Sequence, residues 1–290
     1  KEISKFYIEG LDLLQGKYGL ATQNVDANKV ASVQVLENHQ PVKALKGMEV
    51  PDNAAINLRL KQSAVGAFFA TAQVGAGLPP VLLSNEAVAM RFTRSQQNML
   101  VYKGDNTGRD VSQELTSYYG FRNSNSNNIL SVVAPSPPNI RQQHRLFNDA
   151  HVASMNDLRT LKKDLTLTSN VNFLHDKQKS SSFAKQEIFL TPTDSVQIEE
   201  DMNSRLLKRE LEGSITLEGN ADNYFLNNKL NVRSSWNQTN SNIASDDPVM
   251  QALKQPSFHI ENYFDYLKRD DKWRKKVVAN IAYTSQNQRL

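Results

Sequence analysis

Along the second half of the chain, apolar and polar residues alternate with a period of two over long stretches. Leu165, Leu167, Val171 and Phe173 share one face of an extended segment, with Thr166, Thr168, Asn170 and Asn172 on the other. Between Leu206 and Gly219, the apolar Leu207, Leu211, Ile215 and Leu217 oppose Lys208, Glu210, Glu212, Ser214, Thr216 and Glu218. Tyr224, Leu226, Leu230, Val232 and Trp236 then oppose Asn227, Lys229, Asn231 and Arg233. Phe258, Ile260, Phe264 and Tyr266 oppose His259, Glu261 and Asp265, and Val277, Ala279, Ile281 and Tyr283 close the series. A period of two predicts β-strands. Strands of soluble sheets usually run about five or six residues, whereas a strand crossing a bilayer needs roughly 9–11. These segments are of the longer kind. Several carry an aromatic at or near an end, as Tyr224, Trp236, Tyr266 and Tyr283 do, which suits the two membrane interfaces.

The middle of the chain predicts hairpins. Gly66, Phe68, Ala70, Ala72, Val74 and Ala76 share a face until Gly77-Leu78-Pro79-Pro80 forces a turn. Asn85–Thr93 and Gln97–Tyr102 predict two more strands, and Lys103–Gly108 a loop in which Asn106 and Gly108 supply positive φ. Ser117–Pro138 is polar and irregular, predicting a long loop with at most a short strand at Ile129–Val133.

Before Ala64 the texture differs. Phe6–Ile8 predicts a strand, and Leu11, Leu13 and Leu14 the start of a short helix interrupted by Gly16 and Gly19. Asp26-Ala27-Asn28 predicts a turn or cap, and Val30–Leu36 a half-buried strand in which Val33 and Val35 alternate with Ser32 and Gln34. One helical turn after Pro41, a loop at Gly47–Asn53 and a strand at Ile56–Lys61 follow. The expectation is a small α+β unit, residues 1–63, followed by a β-domain, residues 64–290. A unit of about sixty residues is marginal for folding alone.

This order of elements resembles the plug and barrel of TonB-dependent outer-membrane receptors. In that family a hydrophobic strand ending in Asp-Gly precedes a helix. A segment Asp-x-x-x-V-x-x-V-x-V-L and a strand leading into the barrel come next. The matching positions here are Ile8, Glu9 and Gly10, then Asp26, Val30, Val33, Val35 and Leu36, then Ile56, Leu58 and Leu60. Glu37–Leu45, which contains His39, stands where the family usually has a glycine-rich stretch, a variant that looks like receptors of Bacteroidetes-type bacteria. The fold implied is mainly β: part of an antiparallel transmembrane β-barrel, nine or ten strands, with the C-terminal part of a small α+β plug. The chain would then be an internal portion of a larger receptor in the bacterial outer membrane. It would bind a nutrient and import it, driven by the TonB complex through a segment outside this chain, with a surface lipoprotein as a compatible further partner. Asn170, Asn172, Lys208, Glu210, Lys229 and Arg233 would hydrate the lumen. The alternatives are a non-transporting outer-membrane barrel and a soluble β-rich binding module.

Composition adds little chemistry. The 290 residues include no cysteine, which removes disulfides, thiolate metal sites and cysteine nucleophiles. The 34 basic and 30 acidic residues are interspersed, and the densest basic cluster, Lys268–Lys276, reads as a solvated loop between strands rather than a nucleic-acid surface. No apolar run approaches the roughly 18 residues of a spanning helix, a test that barrel strands escape. The five histidines lack metal-ligand spacing, Glu199-Glu200-Asp201 reads as a solvated loop before a Ca²⁺ site, and Ser180-Ser181-Ser182 has no base nearby. No enzyme activity, cofactor or metal is expected.

Overall fold

The structure is a computed structural model that describes residues 2–119, 129–191, 194–245, 247–270 and 272–290. It is mainly β, built from a three-stranded and a nine-stranded sheet. The small sheet comprises β1 (Ile3–Ile8), β2 (Val30–Glu37) and β3 (Ala54–Leu60), with a six-residue helix α1 (Gly19–Asn24) between its first two strands. Its order is β1-β3-β2, with β1 parallel and β2 antiparallel to β3.

The large sheet is an antiparallel meander in which every strand pairs with its neighbours in sequence. It runs from β4 (Phe68–Gly77), β5 (Leu82–Phe92) and β6 (Gln96–Asp105) to β7 (Phe147–Lys162) and the 27-residue strands β8 (Leu165–Thr191) and β9 (Asp194–Asn220). β10 (Tyr224–Ala244), β11 (Val249–Arg269) and β12 (Arg274–Gln286) complete it. β4 and β12 are the two edges and do not pair with each other, so the sheet is open.

The N-terminal unit lies against one face of this sheet. Phe6, Ile8, Leu13, Leu14, Leu20, Leu58 and Leu60 form one buried cluster with Val88, Met90, Phe92, Met99, Val101 and Leu158 of β5–β7. Further along, the contacts become polar. Asn170 of β8 donates to Leu13 O, Lys17 pairs with Glu212 of β9, Asn220 bridges Pro41 and Lys43, and Arg269 and Arg274 reach Ala44 and Glu49. Laid flat, the eight strands β5–β12 would span about 34 Å, while a compact unit of sixty residues measures only about 27 Å across. One small unit touching β5 through β12 therefore requires the sheet to curl around it, as a twisted antiparallel sheet does.

Its turn after β1 is fixed by a carboxylate. Glu9 (φ 51°) and Gly10 (φ 82°) turn the chain, and Glu9 Oε1 accepts from Leu60 N at 2.6 Å while Oε2 meets Arg59 at 3.2 Å. Gly10 N donates to Asn57 Oδ1 at 3.0 Å.

Several expectations need correction. Leu11–Leu14 is not helical: Leu11 bridges back to Ile8, Asp12 Oδ1 accepts from Gln15 N, and positive φ at Gln15 and Gly16 ends any helical path. The helix starts at Gly19, which lies so close to Glu114 that a side chain there would crowd its carbonyl. β2 is not half-buried, because it is the outer strand of its sheet and leaves Val33 and Val35 about 60% exposed. Ile129–Val133 forms no strand, since the N–H groups of Ile129 and Leu130 bond Gln288 and that of Val133 bonds Gln251. Lys103–Asp105 belongs to β6, and of the two residues expected at positive φ only Gly108 has it. Asn106 instead holds Val81 and Leu83 through its side-chain amide. Glu199-Glu200-Asp201 lies within β9 rather than in a loop, with Glu199 paired to Lys185 at 2.7 Å. The long loop expected over Ser117–Pro138 is irregular where described, and residues 120–128 lie outside the described residues.

Glu9→Ala removes the acceptor of a buried backbone N–H, which should destabilise the N-terminal unit by about 1–3 kcal/mol. Hydrogen exchange would report this as faster exchange in β1 and β3, with β10–β12 unchanged.

Candidate functional site: a divided polar interior

The face of β7–β10 that meets the N-terminal unit is polar and buried. Ser154, Asn156, Thr168, Asn170, Asn172, Thr216 and Asn231 are all nearly inaccessible. Strand alternation places them on one face, and register aligns them across strands, Asn156 opposite Asn170, then Ser214, then Asn231. Buried polar groups need partners, and Ser154, Asn156, Asn170 and Asn172 satisfy one another, while Thr216 Oγ1 is left without one among the described residues. Asn156 donates to Ser154 Oγ (2.9 Å), Ser154 to Asn172 Oδ1 (2.7 Å) and Asn170 to Asn156 Oδ1 (2.7 Å).

Residues Leu13–Lys17 cross this face and divide it. Asn170 holds Leu13 O at 2.9 Å, and the Lys17 ammonium pairs with Glu212. On one side lies a cavity of about 1030 Å³ between the N-terminal unit and the ends of β8–β11, lined among others by Lys5, Tyr7, Asp12, His39, Glu218, Asn220 and Asp265. On the other lies a cavity of about 330 Å³ under the 3₁₀ turn Val111–Leu115, lined by Ser112, Thr116, Asn172, Lys208, Glu210 and Arg233 among others. From Thr168 in the first to Asn172 in the second is about 13 Å along β8.

The larger cavity carries a charged cluster. Lys5 Nζ lies 2.8 Å from Asp12, and although burial pushes its pKa down, Asp12 and Glu218 outweigh that, so it is raised. Burial pushes the Tyr7 hydroxyl up, with Asp12 adding to it. Tyr7 Oη lies 3.0 Å from His39 Nε2, and burial, then Lys5 and Lys46, hold His39 below its ordinary 6.5.

The partition is clasped by the segment after β6, which folds back inside. Val111 and Glu114 are buried, and Glu114 accepts from Lys103 (2.7 Å) and Asn24 (3.0 Å). The Tyr118 ring stacks on Tyr18 at 4.3 Å between centroids. Tyr119 Oη accepts from Phe6 N at 2.8 Å and donates to Asp12 at 3.1 Å, and burial, then Asp12, push its pKa up. Gly16, at φ +105°, passes beneath, where an added Cβ would sit 2.2 Å from Tyr119 O.

The residues singled out in the sequence therefore separate. Gly10, Val35, Leu36 and His39 line the larger cavity, and Asn172, Lys208, Glu210 and Arg233 the smaller, where Arg233 pairs with Glu210 at 2.9 Å. Asn170 holds the partition between them. Lys229 lies on the same face, opposite Thr216 and Tyr263, without lining either cavity. Glu9 fixes a turn, Asp26 accepts from Asn28 N to start the 3₁₀ turn Ala27–Lys29, Val30 pairs with Leu60, and Val33 is exposed. Lys5, Asp12, Lys17, Tyr118 and Tyr119 were not anticipated, because only long-range contacts give them a role. Among the described residues, no three His, Asp or Glu side chains gather as a metal site. No protein-family model matches the chain, and no curated protein does either.

Gly16→Ala meets both backbone strain, about 1–2 kcal/mol for a side chain at positive φ, and a collision with Tyr119. Limited proteolysis should cleave residues 110–119 faster in this variant. For His39, the unfolded chain takes up a proton first as pH falls below 6.5. The contribution of its neutral form is thus complete above that pH and lost as pH drops toward the folded value. An NMR titration of its ring should give a midpoint below 6.5, and a midpoint at or above it would contradict burial beside Lys5.

Proposed function

We propose that this chain is part of a TonB-dependent outer-membrane receptor, with residues 1–63 belonging to its plug and residues 64–290 to the first part of its barrel. The observation that carries the reading is the outer face of the large sheet. There Met155, Val171, Gly213, Val232, Ile260 and Tyr283 form one cross-strand row over six strands. Leu100 of β6 extends this same row, and neighbouring rows add Phe173, Leu211, Ile215, Leu230, Phe258, Phe264 and Ile281. Many are well exposed, Ile215 at 51% and Ile281 at 75%. Monomeric soluble proteins rarely expose apolar patches beyond a few hundred Å². A sheet that buries asparagines and exposes valines and isoleucines suits lipid outside and water inside.

The apolar face of β8 runs from Leu165 to Phe173, about 26 Å along the strand, which at a tilt of about 35–45° rises about 18–21 Å, somewhat less than the apolar band of outer-membrane barrels, about 25 Å tall. The turns at 93–95, 163–164 and 221–223 are short and lie at one end, while the segments 106–119 and 129–146 and the far halves of β8 and β9 lie at the other, together with the short turn 78–81. Such barrels have short periplasmic turns and longer outer loops. A complete barrel of this class has about 22 strands, so further strands would be needed to close it around β2.

In this reading the smaller cavity opens toward the outside, the larger toward the periplasm, and Leu13–Lys17 blocks the path between. The N-terminal unit grips β5–β7 through apolar packing but β8–β9 through hydrogen bonds and an ion pair. Force from the TonB complex, acting through a segment outside this chain, would open the passage on the polar side, where a neutral hydrogen bond contributes only about 0.5–1.5 kcal/mol. The ligand is a scarce nutrient, a surface lipoprotein is a compatible partner, and the reading requires no covalent chemistry.

The protein should fractionate with the outer membrane and run as a band whose mobility shifts on boiling. Ile215→Lys should destabilise it by about 2–4 kcal/mol if that residue faces lipid, and by about 0.5 kcal/mol or less if it faces water. A soluble, unshifted protein indifferent to Ile215→Lys would favour the β-rich binding module. Since the chain lacks cysteine, Lys17→Cys with Glu212→Cys can be joined by a bis-methanethiosulfonate reagent, which spans the gap left by the two long side chains and gives a single reducible crosslink. It should block nutrient-dependent growth until a reductant is added.

A further inference from the structure

We infer that the outer face of β7–β9, just beyond the apolar band, is a binding surface for an anionic, phosphate-bearing lipid headgroup. The inference rests on the membrane reading above. Ala153, Phe173 and Leu211 form the last apolar row across these strands. The next row on the same face is His151, His175 and Arg209, the one after is Asp149, Lys177 and Leu207, and the third is Phe147, Lys179 and Arg205. Within three rows the surface changes from wholly apolar to four fixed cations against one carboxylate. That carboxylate is already engaged, with Asp149 lying 3.4 Å from His151 and 3.7 Å from Lys177. Among the described residues no carboxylate comes within ion-pair distance of Lys179, Arg205 or Arg209, and all three are exposed.

The placement fits a lipid rather than a solute. Each row lies about 7 Å from the last along the strand, and the headgroup region is about 5–7 Å deep on each side of a bilayer. Acyl chains lying on Phe173, Val171 and Leu211 would bring their phosphates level with Arg209 and Lys177. Guanidinium groups bind phosphate oxygens in bidentate fashion, and His151, fixed by Tyr102 Oη at 3.0 Å, presents its ring beside them. A free phosphate would find the same cations but nothing to do with the apolar rows beneath.

The test is native mass spectrometry of the protein in detergent, titrated separately with phosphatidylglycerol, phosphatidylcholine and inorganic phosphate. The wild type should bind phosphatidylglycerol at least about tenfold more tightly than phosphatidylcholine. The variant Lys177→Gln/Lys179→Gln/Arg205→Gln/Arg209→Gln should bind both alike, and the charge-conserving Arg205→Lys/Arg209→Lys should keep the preference. The heat-dependent mobility shift verifies that each variant is folded. Absence of a preference in the wild type, its survival in the fourfold variant, or inorganic phosphate binding as tightly as the lipid would overturn the inference while leaving the barrel intact. Loss of the mobility shift in the wild type would overturn the membrane reading itself, and this inference with it.

Discussion

The structure depends on one inversion: from β7 to β10 the large sheet buries a polar face and exposes an apolar one, whereas β5 and β6 bury Val88, Met90, Phe92, Met99 and Val101. A buried amide or hydroxyl left without a partner is destabilising by about 1–3 kcal/mol, so a polar interior stands only if its members bond one another or something placed among them. The Ser154, Asn156, Asn170 and Asn172 network does the first, and Leu13 O, received by Asn170, does the second. The N-terminal unit is thus the filling that the curled sheet requires, and its own marginal core is completed by β5–β7.

Two kinds of surface meet along that interface. Toward β5–β7 the unit presents Phe6, Ile8, Leu58 and Leu60 to Met90, Phe92, Met99 and Val101, a contact without direction and proportional to area. Toward β8–β12 it presents backbone carbonyls and charges, whose strength depends on geometry and is lost on a small displacement. Tyr118 and Tyr119 link the two regimes, since they stack over Tyr18 and hold Phe6 and Asp12 from a segment that begins at the outer end of β6.

Much of the sheet was legible in the sequence because a period of two survives any tertiary context. The faces read for β8 to β12 are those observed, and Asn172, Lys208, Glu210 and Arg233 converge because neighbouring strands in register bring like faces together. The full reach of β8 and β9 was not legible, since beyond Phe173 both faces turn polar and alternation carries no signal. The N-terminal unit was read less well. Leu11–Leu14 has helical spacing, yet a bridge to Ile8 and a turn at Asp12 override it, and Val33 with Val35 alternates like a buried face but borders the outer strand of a small sheet. Lys17, Asp12 and Tyr119 leave no local pattern. Their partners, Glu212 for Lys17 and Phe6 for Tyr119, lie more than a hundred residues away in the chain.

The meander has a consequence for how the molecule comes into being. Every strand of the meander pairs only with those just before and after it, so the sheet can grow hairpin by hairpin, with one long closure between β6 and β7. The N-terminal unit obeys the opposite rule. It leaves the ribosome before the sheet does, yet its core is completed by residues as distant as Leu158 and its polar grip by Lys17 with Glu212. Because such long-range closures come late, a segment made before the sheet settles only after it, and until then it must be kept from aggregating.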